Sequence, residues 1–470
     1  MKIAFHGAAR TVTGSKHLIH INPGKKVLLD CGMFQGLGKE TLTLNKEWGF
    51  DPTEIDYVII SHAHIDHIGL LPKLVKDGYN KKIICTTATA DLAKIMLLDS
   101  AHIQESDVAY INKQHKKDGR EQVDPLYTVE DAQKVFPLLH TVDYNELYKV
   151  DDDIELLYTD CGHLLGSAAI HLKIKEHGKE VKLTFSGDVG RYNDMLLKKP
   201  EVFEQADFIL IESTYGDRLH DDVQPATEKL LQHIQHTCIE KRGKLVIPAF
   251  SVGRTQEILY MLNQLEQENK LPKLKYIVDS PLSTEATEVI KHHPECFNKQ
   301  VQDLLQTDHD VFAFEGLHYT NSVDESIQLN DTKEPCVIIS ASGMAEAGRV
   351  KHHIAHAINN PANTILMVGY CEPESLGGRL KGGATHVGIF GVPYEVKAEV
   401  ASIDSLSAHG DYQDLIHWLS CQDPVQVRTL FLVHGEYEVQ EHFKDTLLKK
   451  GFRDIQIPYR HQEIGLGDLN

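Results

Sequence analysis

The amino-acid sequence predicts a layered α/β protein. Short, nearly continuous apolar runs that end in a polar residue recur along the chain, as in DYVIISHAH, DFILIEST and LFLVHGE. Runs of this length and composition are typical of strands that are buried on both faces. Helix-period patterns such as TQEILYMLNQLEQEN and DYQDLIHWLS lie between several of these runs. The alternation of strands and helices predicts sheets with helices packed on them.

Length and composition predict a cytoplasmic protein of two or three domains, because domains average about 150 residues and the chain has 470. Apolar residues make up 41% and charged residues 25%, as in ordinary globular chains. The sequence shows neither the pattern of a secretory signal nor the apolar run of about 18 residues that a membrane helix needs. The eight cysteines include no C-x-x-C pair, which favours free thiols in a reducing compartment.

The formal charge of −20 disfavours nonspecific binding to a polyanion. A local site can nevertheless differ in sign from the whole, and bound divalent cations would add positive charge. Segment 100–150 is polar with a helical pattern and contains the basic turn KQHKKDGR. We interpret this turn as solvated surface, with an RNA contact as the alternative.

A cluster of metal-ligand residue types occupies the stretch SHAHIDHIG. His62, His64, Asp66 and His67 fall within six positions. Imidazole nitrogens and carboxylate oxygens in this mixture suit zinc, with manganese or iron as chemical substitutes. Four ligands cannot complete two catalytic metal shells, so distant ligands are needed. The distant candidates are His163 in CGHLLGS, Asp188 in FSGDVG and His434 in LVHGE.

The candidates share a position relative to the predicted strands. Asp30, His62, Asp188, Glu212 and His434 each lie at or just beyond the end of an apolar run. His409 follows a less apolar strand candidate, VKAEVASIDSLSAH. Sites in α/β sheets gather outside the carboxyl ends of strands, so we expect these residues to converge on one site.

The order of these motifs resembles that of a known family. The His62-x-His64-x-Asp66-His67 motif, followed by His163 and Asp188, resembles the metallo-β-lactamase fold signature, and Asp30 matches the aspartate that supports the site from an early strand. The later motifs IESTYG, SAHGD and LVHGE resemble those of the β-CASP branch, which holds nucleic-acid nucleases. The resemblance covers nearly the whole chain. It is strongest to bacterial and archaeal RNA-processing exonucleases and endonucleases related to the mRNA 3′-end cleavage subunit.

The resemblance implies a fold and a set of domains. The fold is a metallo-β-lactamase αββα sandwich with an inserted α/β β-CASP cap domain. The sandwich would comprise residues 1–214 and 401–470, and the β-CASP domain residues 215–400. From the first strand at the N-terminus and the short stretch after His434, we expect no appended RNA-binding domain.

The resemblance also implies two zinc ions per chain, with Mn²⁺ as a substitute. One ion would be held by His62, His64 and His163, the other by Asp66, His67 and His434, with Asp188 bridging them. Two such ions about 3.5–4 Å apart share and activate a water and stabilise charge on a phosphoryl group. In this interpretation His409 is the general acid, Glu212 orients its imidazole, and Asp66 and Asp188 act as both ligands and catalytic carboxylates.

The inserted region contains loops suited to phosphate. Backbone amides at helix starts and arginine side chains bind phosphate well, and the resemblance implies an RNA track here, with ordinary strand–helix connections as the alternative. The candidates are Ser251 and Arg254 in AFSVGRTQE, Ser340, Ser342, Gly343, Met344 and Arg349 in SASGMAEAGRV, and Arg379 in GYCEPESLGGRL.

The sequence therefore favours a zinc-dependent ribonuclease that hydrolyses RNA phosphodiester bonds. Whether it acts as an exonuclease or an endonuclease is left open, and a homodimer is compatible with the chain. Two other functions are the alternatives. A small-molecule hydrolase of the same fold would lack the large insertion and the Glu212/His409 pair. A non-catalytic RNA-binding scaffold would have lost ligands, whereas every ligand position here is filled.

Overall fold

The chain forms two compact units. The computed structural model describes residues 1–38, 40–176, 178–220, 225–320, 322–369 and 371–467. The first unit comprises Met1–Tyr192, Leu197–Leu219 and His409–Asn470, and the second comprises Asn193–Leu196 and His220–Ala408. Both ends of the chain thus contribute to the first unit, and the second is inserted between them.

One sheet of the first unit has seven strands. They are β1 (Lys2–Gly7), β2 (Lys16–Ile21), β3 (Lys25–Leu29), β4 (Tyr57–Ile59), β5 (Ile83–Cys85), β6 (Leu139–Thr141) and β22 (Gln462–Gly465). Their order is β22-β1-β2-β3-β4-β5-β6. β22, β1, β2 and β3 pair antiparallel, and β3 to β6 pair parallel.

The other sheet of the first unit also has seven strands. They are β7 (Tyr148–Lys149), β8 (Ile154–Asp160), β9 (Ala168–Glu176), β10 (Lys179–Phe185), β11 (Phe208–Glu212), β20 (Thr429–Val433) and β21 (Ile455–Gln456). Their order is β21-β20-β11-β10-β9-β8-β7. β7 to β10 form an antiparallel meander, whereas β10, β11, β20 and β21 pair parallel.

Apolar side chains join the two sheets face to face. Phe5 and Ile59 of the one sheet share a buried core with Phe185 and Leu210 of the other. Among the described residues, the helices of this unit are α1 (Glu40–Lys46), α2 (Ile65–Ile68), α3 (Leu71–Lys76), α4 (Thr87–Asp118), α5 (Val129–Val135), α13 (Tyr412–Leu419) and α14 (Tyr437–Lys449). Trp418 of α13 belongs to a second core on the outer face of β11 and β20. The predicted αββα sandwich is therefore confirmed.

The second unit is built on a parallel sheet. Its strands are β12 (Lys244–Pro248), β13 (Lys275–Val278), β14 (Leu317–Tyr319), β15 (Cys336–Ser340), β16 (Thr364–Met367) and β19 (Glu399–Ser402), with a separate hairpin of β17 (His386–Ile389) and β18 (Val392–Glu395). The sheet order is β14-β13-β15-β12-β16-β19. Every strand pairing in this sheet is parallel, and parallel sheets are normally buried on both faces by packed helices.

Helices cover this sheet. The helices described in this unit are α6 (Ala226–Ile234), α7 (Arg254–Gln267), α8 (Pro281–Lys291), α9 (Lys299–Leu304), α10 (Val323–Asp331), α11 (Val350–Ala357) and α12 (Leu376–Lys381). α7 has an almost wholly buried sequence. Ile354 of α11 and Leu380 of α12 join Val246 and Met367 of the sheet in one apolar core.

One predicted strand end differs in the structure. The sequence VKAEVASIDSLSAH was expected to end at the same sheet edge as the metal ligands. Its strand is β19, which pairs with β16 and so belongs to the sheet of the second unit. His409 therefore follows no strand of the sandwich and instead opens the return segment before α13.

The predicted helical segment 100–150 is helical in part. α4 extends through Asp118, and α5 follows at Val129–Val135. The remainder contains the short strands β6 and β7. No helix in the part of the chain that the structure describes has the length and apolar character needed to cross a membrane.

Asp160 is a buried carboxyl group at the end of β8, with 4% of its surface exposed. Burial raises its pKa to about 7, although the Gly162 N–H donates to it and Lys198 lies near, and the Glu201 carboxylate adds to the rise. Between pH 4 and 7 the folded state therefore keeps a proton that the unfolded chain releases. Stability consequently falls as the pH rises through this range.

We expect Asp160→Asn to stabilise the protein at pH 8 by up to about 4 kcal/mol, because the amide is neutral and can still accept the Gly162 N–H. At pH 4 the gain should vanish. Urea denaturation at both pH values measures it. Asp445→Asn, on an exposed position of α14, is the control. An equal gain for Asp160→Asn at both pH values would contradict the assignment of a raised pKa.

Candidate metal centre and active site

The candidate site lies at the carboxyl ends of strands in the first unit. β10, β11 and β20 are parallel neighbours, and Glu212 is in register with the last residue of β20. The same edge of one sheet thus carries Asp188, Glu212 and His434. On the other sheet, β3 and β4 are parallel, which brings Asp30 beside the segment that leads to His62. Residues far apart in sequence are therefore brought together.

The loop that carries the histidine cluster is fixed by backbone hydrogen bonds. It runs from β4 into the short helix α2, which contains Asp66 and His67. The Ser15 N–H donates to the Asp66 carbonyl at 2.8 Å, and the Cys31 N–H donates to the His67 carbonyl at 2.8 Å. The conformation of the cluster thus depends on the segments that flank β2 and β3.

Gly32 makes this close approach possible. A Cβ atom at Gly32 would lie 1.6 Å from the carbonyl oxygen of Asp66, so no other residue fits. The carbonyl of Gly32 accepts a hydrogen bond of 2.6 Å from Lys16 Nζ, which also donates to Gly14. Lys16 is fully buried, and burial lowers its pKa to about 7. Neither Gly32 nor Lys16 was identified from the sequence, although the DCG and GSK motifs contain them.

Three imidazoles and one carboxylate form the first ligand group. Nε2 of His62 and Nε2 of His163 lie 3.0 and 3.1 Å from Nδ1 of His64. Both Nε2 atoms are 3.5 Å from Oδ2 of Asp188. One ligand atom from each of the four residues lies within 4.8 Å of the others.

A second ligand group also adjoins Asp188. Nε2 of His434 is 3.2 Å from Nε2 of His67 and 3.3 Å from Oδ2 of Asp66. Asp188 offers Oδ2 to His67 at 3.3 Å and Oδ1 to His434 at 3.6 Å. Asp188 therefore contacts histidines of both groups, with Oδ2 near His62, His163 and His67 and Oδ1 near His434.

Neighbouring oxygens hold the imidazole rings in place. Oδ2 of the buried Asp30 is 2.7 Å from Nδ1 of His67, and the Ser61 N–H donates to Oδ1 of Asp30 at 2.8 Å. Oγ1 of Thr214 is 3.0 Å from Nδ1 of His434. Such contacts fix the ring orientation and leave Nε2 directed at the cluster. Ser61 and Thr214 were not identified from the sequence.

The electrostatic state of the cluster suits a divalent cation. Burial lowers the pKa of His62 well below its ordinary value and that of His64 to about 4, so both are neutral, as metal ligation requires. Burial also opposes the charge on His67, but the carboxylates of Asp188, Asp30 and Asp66 outweigh it and raise the His67 pKa. A cation held beside His67 would displace that proton.

A buried oxygen of Asp188 and the types of ligand atom also fit a bound divalent metal ion. Oδ1 of Asp188 is buried and has no hydrogen-bond partner among the described residues. A buried ionised oxygen without a partner is costly unless a cation compensates it. Nitrogen and carboxylate oxygen ligands in groups of three and four are those of zinc and related divalent metals. The cluster is therefore a metal-binding site.

A histidine–glutamate pair adjoins the metal ligands. Nδ1 of His409 lies 3.1 Å from both carboxylate oxygens of the fully buried Glu212 and 4.0 Å from Asp188. The Val189 and Thr214 N–H groups donate to Glu212 and fix its orientation. Burial lowers the pKa of His409, but Glu212 and Asp188 outweigh it and raise it to about 9. His409, 20% of whose side chain is exposed, is thus a positioned and protonated imidazolium.

In the second unit, two of the predicted phosphate-binding arginines are engaged by carboxylates. Arg349 Nη1 donates to Oδ1 of the fully buried Asp279 at 2.6 Å. The buried Arg254 pairs with Glu257 one turn along α7. Their guanidinium groups therefore hold local structure together. Arg379 is exposed, and its Nε contacts the Ser375 carbonyl of its own helix at 3.4 Å.

Ser340 is the last residue of β15, and the loops that follow β12 and β15 carry Ser251, Ser342 and Gly343. Ser340 is buried and donates to the Asp279 carbonyl at 2.7 Å, and Ser342 donates to the Ala347 carbonyl at 3.3 Å. Oγ of the half-buried Ser251 lies 3.4 Å from Oγ of Ser280. Of the serines, therefore, Ser251 and Ser342 are the more accessible.

Gly343 allows an aromatic ring to approach this loop. A Cβ there would meet the Phe250 ring at 2.8 Å. The Phe250 ring is 41% exposed. The half-buried Met344 accepts a hydrogen bond from the Gly377 N–H at its carbonyl. Phe250 was not identified from the sequence, although it lies within the AFSVGR motif.

Three domain families match this chain in sequence. Residues 14–232 match the Metallo-beta-lactamase superfamily, residues 255–380 match the Beta-Casp domain, and residues 393–458 match the Zn-dependent metallo-hydrolase RNA specificity domain. Ribonuclease TTHA0252 from Thermus thermophilus is 33% identical over 93% of this chain and 94% of its own length. The chain belongs to the β-CASP branch of the metallo-β-lactamase superfamily.

Two further relatives extend this comparison. An RNase J-like protein from Methanocaldococcus jannaschii is 30% identical over 95% of each chain. Transcription termination factor FttA from Methanosarcina mazei is 30% identical over 96% of this chain and 69% of its own. Membership of the β-CASP branch confirms the predicted fold class, the family and the class of enzyme, a metal-dependent hydrolase of RNA processing.

We expect Gly32→Ala to disrupt the β-CASP metal centre, because the new methyl group would overlap the Asp66 carbonyl. Overpacking of this kind costs about 1–3 kcal/mol, and displaced metal ligands reduce affinity by about 10- to 100-fold. Thermal unfolding and elemental analysis after dialysis measure the two effects.

Gly465→Ala in β22 is the matched control, since a Cβ there would meet no atom within 4 Å. It should leave both the melting temperature and the metal content unchanged. Retention of metal and stability by Gly32→Ala would show that the loop is not held as the structure indicates.

Proposed function

We propose that this β-CASP protein is a ribonuclease that hydrolyses RNA phosphodiester bonds with two zinc ions, for which Mn²⁺ can substitute. The observation that carries this proposal is the Glu212–His409 pair placed beside Asp188, whose carboxylate contacts histidines of both ligand groups. A metal centre alone would fit many hydrolases. A proton donor positioned at its edge suits the expulsion of a poor leaving group.

The chain supplies two sets of metal ligands. The first ion would be held by His62, His64 and His163, the second by Asp66, His67 and His434, with Asp188 between them. Ions so held activate water and stabilise the negative charge that develops on a phosphoryl group. Asp30 and Thr214 keep the rings of His67 and His434 in the orientation that such ions require.

His409 would act as the general acid. Its Nδ1 is held by Glu212, so the ring presents Nε2 to the substrate. The ribose oxygen that leaves as the P–O bond breaks needs a proton, and His409 donates it from Nε2. Glu212 binds no metal in this scheme; it orients the imidazole and favours its charged form.

The second unit would hold the RNA backbone. The accessible serines on its two loops, Ser251 and Ser342, suit contacts to phosphate, the exposed Phe250 suits contact to a base, and Arg379 adds a cation. Arg254 and Arg349 act here through the loops that they anchor, because Glu257 and Asp279 occupy their guanidinium groups. We place the protein in the cytoplasm on the strength of its eight free cysteines. A homodimer stays a prediction.

The small-molecule hydrolase is the weaker candidate. The Glu212–His409 pair would serve no purpose with a good leaving group such as a thiolate, which needs no protonation. The scaffold is disfavoured because all seven ligands are present and clustered.

We expect the purified, metal-loaded protein to shorten 5′- and 3′-labelled RNA, and EDTA to abolish the reaction until zinc or manganese is restored. His409→Ala should lower kcat by about 10²- to 10⁴-fold, because the leaving oxygen loses its proton donor. Elemental analysis should still give two metals per chain in this variant. The labelled ends report whether cleavage begins at a terminus or within the strand.

The control is His442→Ala, which removes an exposed imidazole from α14 of the same unit and should cleave at the native rate. If His409→Ala, folded and carrying both metals, also cleaves at the native rate, the proposed role of His409 is wrong. If the native protein retards RNA without ever shortening it, the ribonuclease proposal itself fails and the scaffold is favoured.

A further inference from the structure

Helix α4 extends well beyond the core of the first unit. Its last buried residue is Ala101, yet it continues to Asp118 and ends at Gly119, which has the left-handed φ of 66°. The chain then returns along the helix: Asn112 exchanges two side-chain hydrogen bonds with the backbone of Val123, at 2.8 and 2.9 Å. We call residues 102–126 the arm. At 1.5 Å per residue its helical part is roughly 25 Å long.

The tip of the arm, residues 113–120, carries four basic side chains and one acidic one, whereas the arm as a whole has five acidic residues. Lys113, Lys116 and Lys117 are all exposed and, at spacings of three and four residues, lie on one side of the helix. No carboxylate of the described residues forms an ion pair with any of them, whereas Arg120 lies 3.9 Å from Asp118. These three ammonium groups form a positive patch on a chain of net charge −20.

An aromatic side chain continues the same helix face. Tyr110 precedes Lys113 by three residues and Lys117 by seven, and its side chain is 66% exposed. Ile103, a further seven residues back, is 46% exposed. A protein that binds single-stranded nucleic acid needs cations for the backbone and an exposed ring on which a base can stack. The arm offers both within about three helical turns.

Helix stability alone does not account for this pattern. The helix dipole favours cations in the last turn, which would explain Lys116 and Lys117. It explains neither Lys113, which lies before that turn, nor the exposure of a tyrosine ring beside the cations. A solvated helix end would be expected to pair its lysines with carboxylates, as Lys134 does with Glu130 and Asp131 on α5.

We propose that the arm is an RNA-binding surface outside the metal centre, in which Lys113, Lys116 and Lys117 contact phosphates and Tyr110 stacks on a base. The choice of RNA as the partner rests on the proposed function, and charge complementarity supports it. The arm raises the affinity for strands long enough to reach it and takes no part in bond cleavage. A strand too short to span from the metal centre to the arm gains nothing from it.

The test compares K113Q/K116Q/K117Q with native protein on a labelled, unstructured 30-nucleotide RNA. We expect KM to rise about tenfold with kcat within about twofold of native. The slope of log KM against log[KCl] should fall by about 2, since each phosphate contact on a single strand contributes about 0.7. Tyr110→Ala should raise KM about fivefold or more, and Tyr110→Phe should restore it.

A matched variant, K134Q/K149Q/K449Q, removes the same charge from other exposed positions of the first unit. It should leave KM and the salt slope near native. Hydrolysis of bis(p-nitrophenyl) phosphate, too small to reach the arm, should be the same in all variants. Equal KM values for the arm and matched variants would overturn the proposal. So would a change in sedimentation of the arm variant alone, which would assign the arm to contact between copies of the chain.

Failure of the proposed function gives a different result. If the native protein hydrolyses no RNA, the same proteins are titrated into the 30-nucleotide RNA and fluorescence anisotropy gives Kd. A Kd raised about tenfold by the arm substitutions and unchanged by the matched ones supports the arm without any hydrolysis. Equal Kd values reject it.

Discussion

The candidate site is organised around one buried carboxylate. Asp188 lies within 3.6 Å of a nitrogen of four different histidines, and one of its oxygens has no other partner among the described residues. An ionised group in this position is costly unless positive charge surrounds it. Burial keeps the neighbouring His62 neutral, so this imidazole does not supply the charge that a bound cation would. The same constraint explains why the ligands, which come from four separate segments, must each arrive in a fixed orientation.

The sandwich meets that requirement through its parallel strands. Because β10, β11 and β20 are parallel neighbours, Asp188, Glu212 and His434 reach one edge although β20 follows β11 by more than two hundred residues of sequence. β3 and β4 do the same for Asp30 and His62. The second unit can be inserted between β11 and β20 without disturbing this register, since β20 still pairs with β11 along its whole length.

Much of this arrangement could be predicted, because it depends on local patterns. Apolar runs ending in a polar residue identified β4, β10, β11 and β20, and the parallel geometry of strand ends then brought their polar residues together. His409 was the exception. Its preceding strand, β19, has the pattern of a strand but pairs with β16, and the sequence does not record which sheet a strand will join. His409 was predicted both from its motif and from a shared sheet edge, and the sheet-edge argument was wrong.

Residues whose role depends on tertiary contact were missed for the same reason. Gly32 matters because of the Asp66 carbonyl, thirty-four positions away, and Lys16 because of the carbonyls that it joins. Conversely, Arg254 and Arg349 lie in sequence contexts typical of phosphate ligands, but their guanidinium groups form ion pairs with Glu257 and Asp279. An arginine beside a glycine loop looks the same in sequence whether its partner is a substrate or a buried aspartate.

The distribution of positively charged side chains affects how a protein of net negative charge can bind RNA, which is also negatively charged. At a net charge of −20, long-range attraction cannot gather the substrate, so binding must depend on local positive charge. Arg254 and Arg349 form ion pairs with carboxylates of the second unit, and many surface lysines also pair with carboxylates. Positive charge that the described ion pairs leave available includes Arg379 and the three lysines of the arm, and bound metal ions would add to it. Such a distribution holds RNA at a few points instead of along a continuous basic surface. It predicts an enzyme whose affinity grows with the number of points that a strand can reach at once.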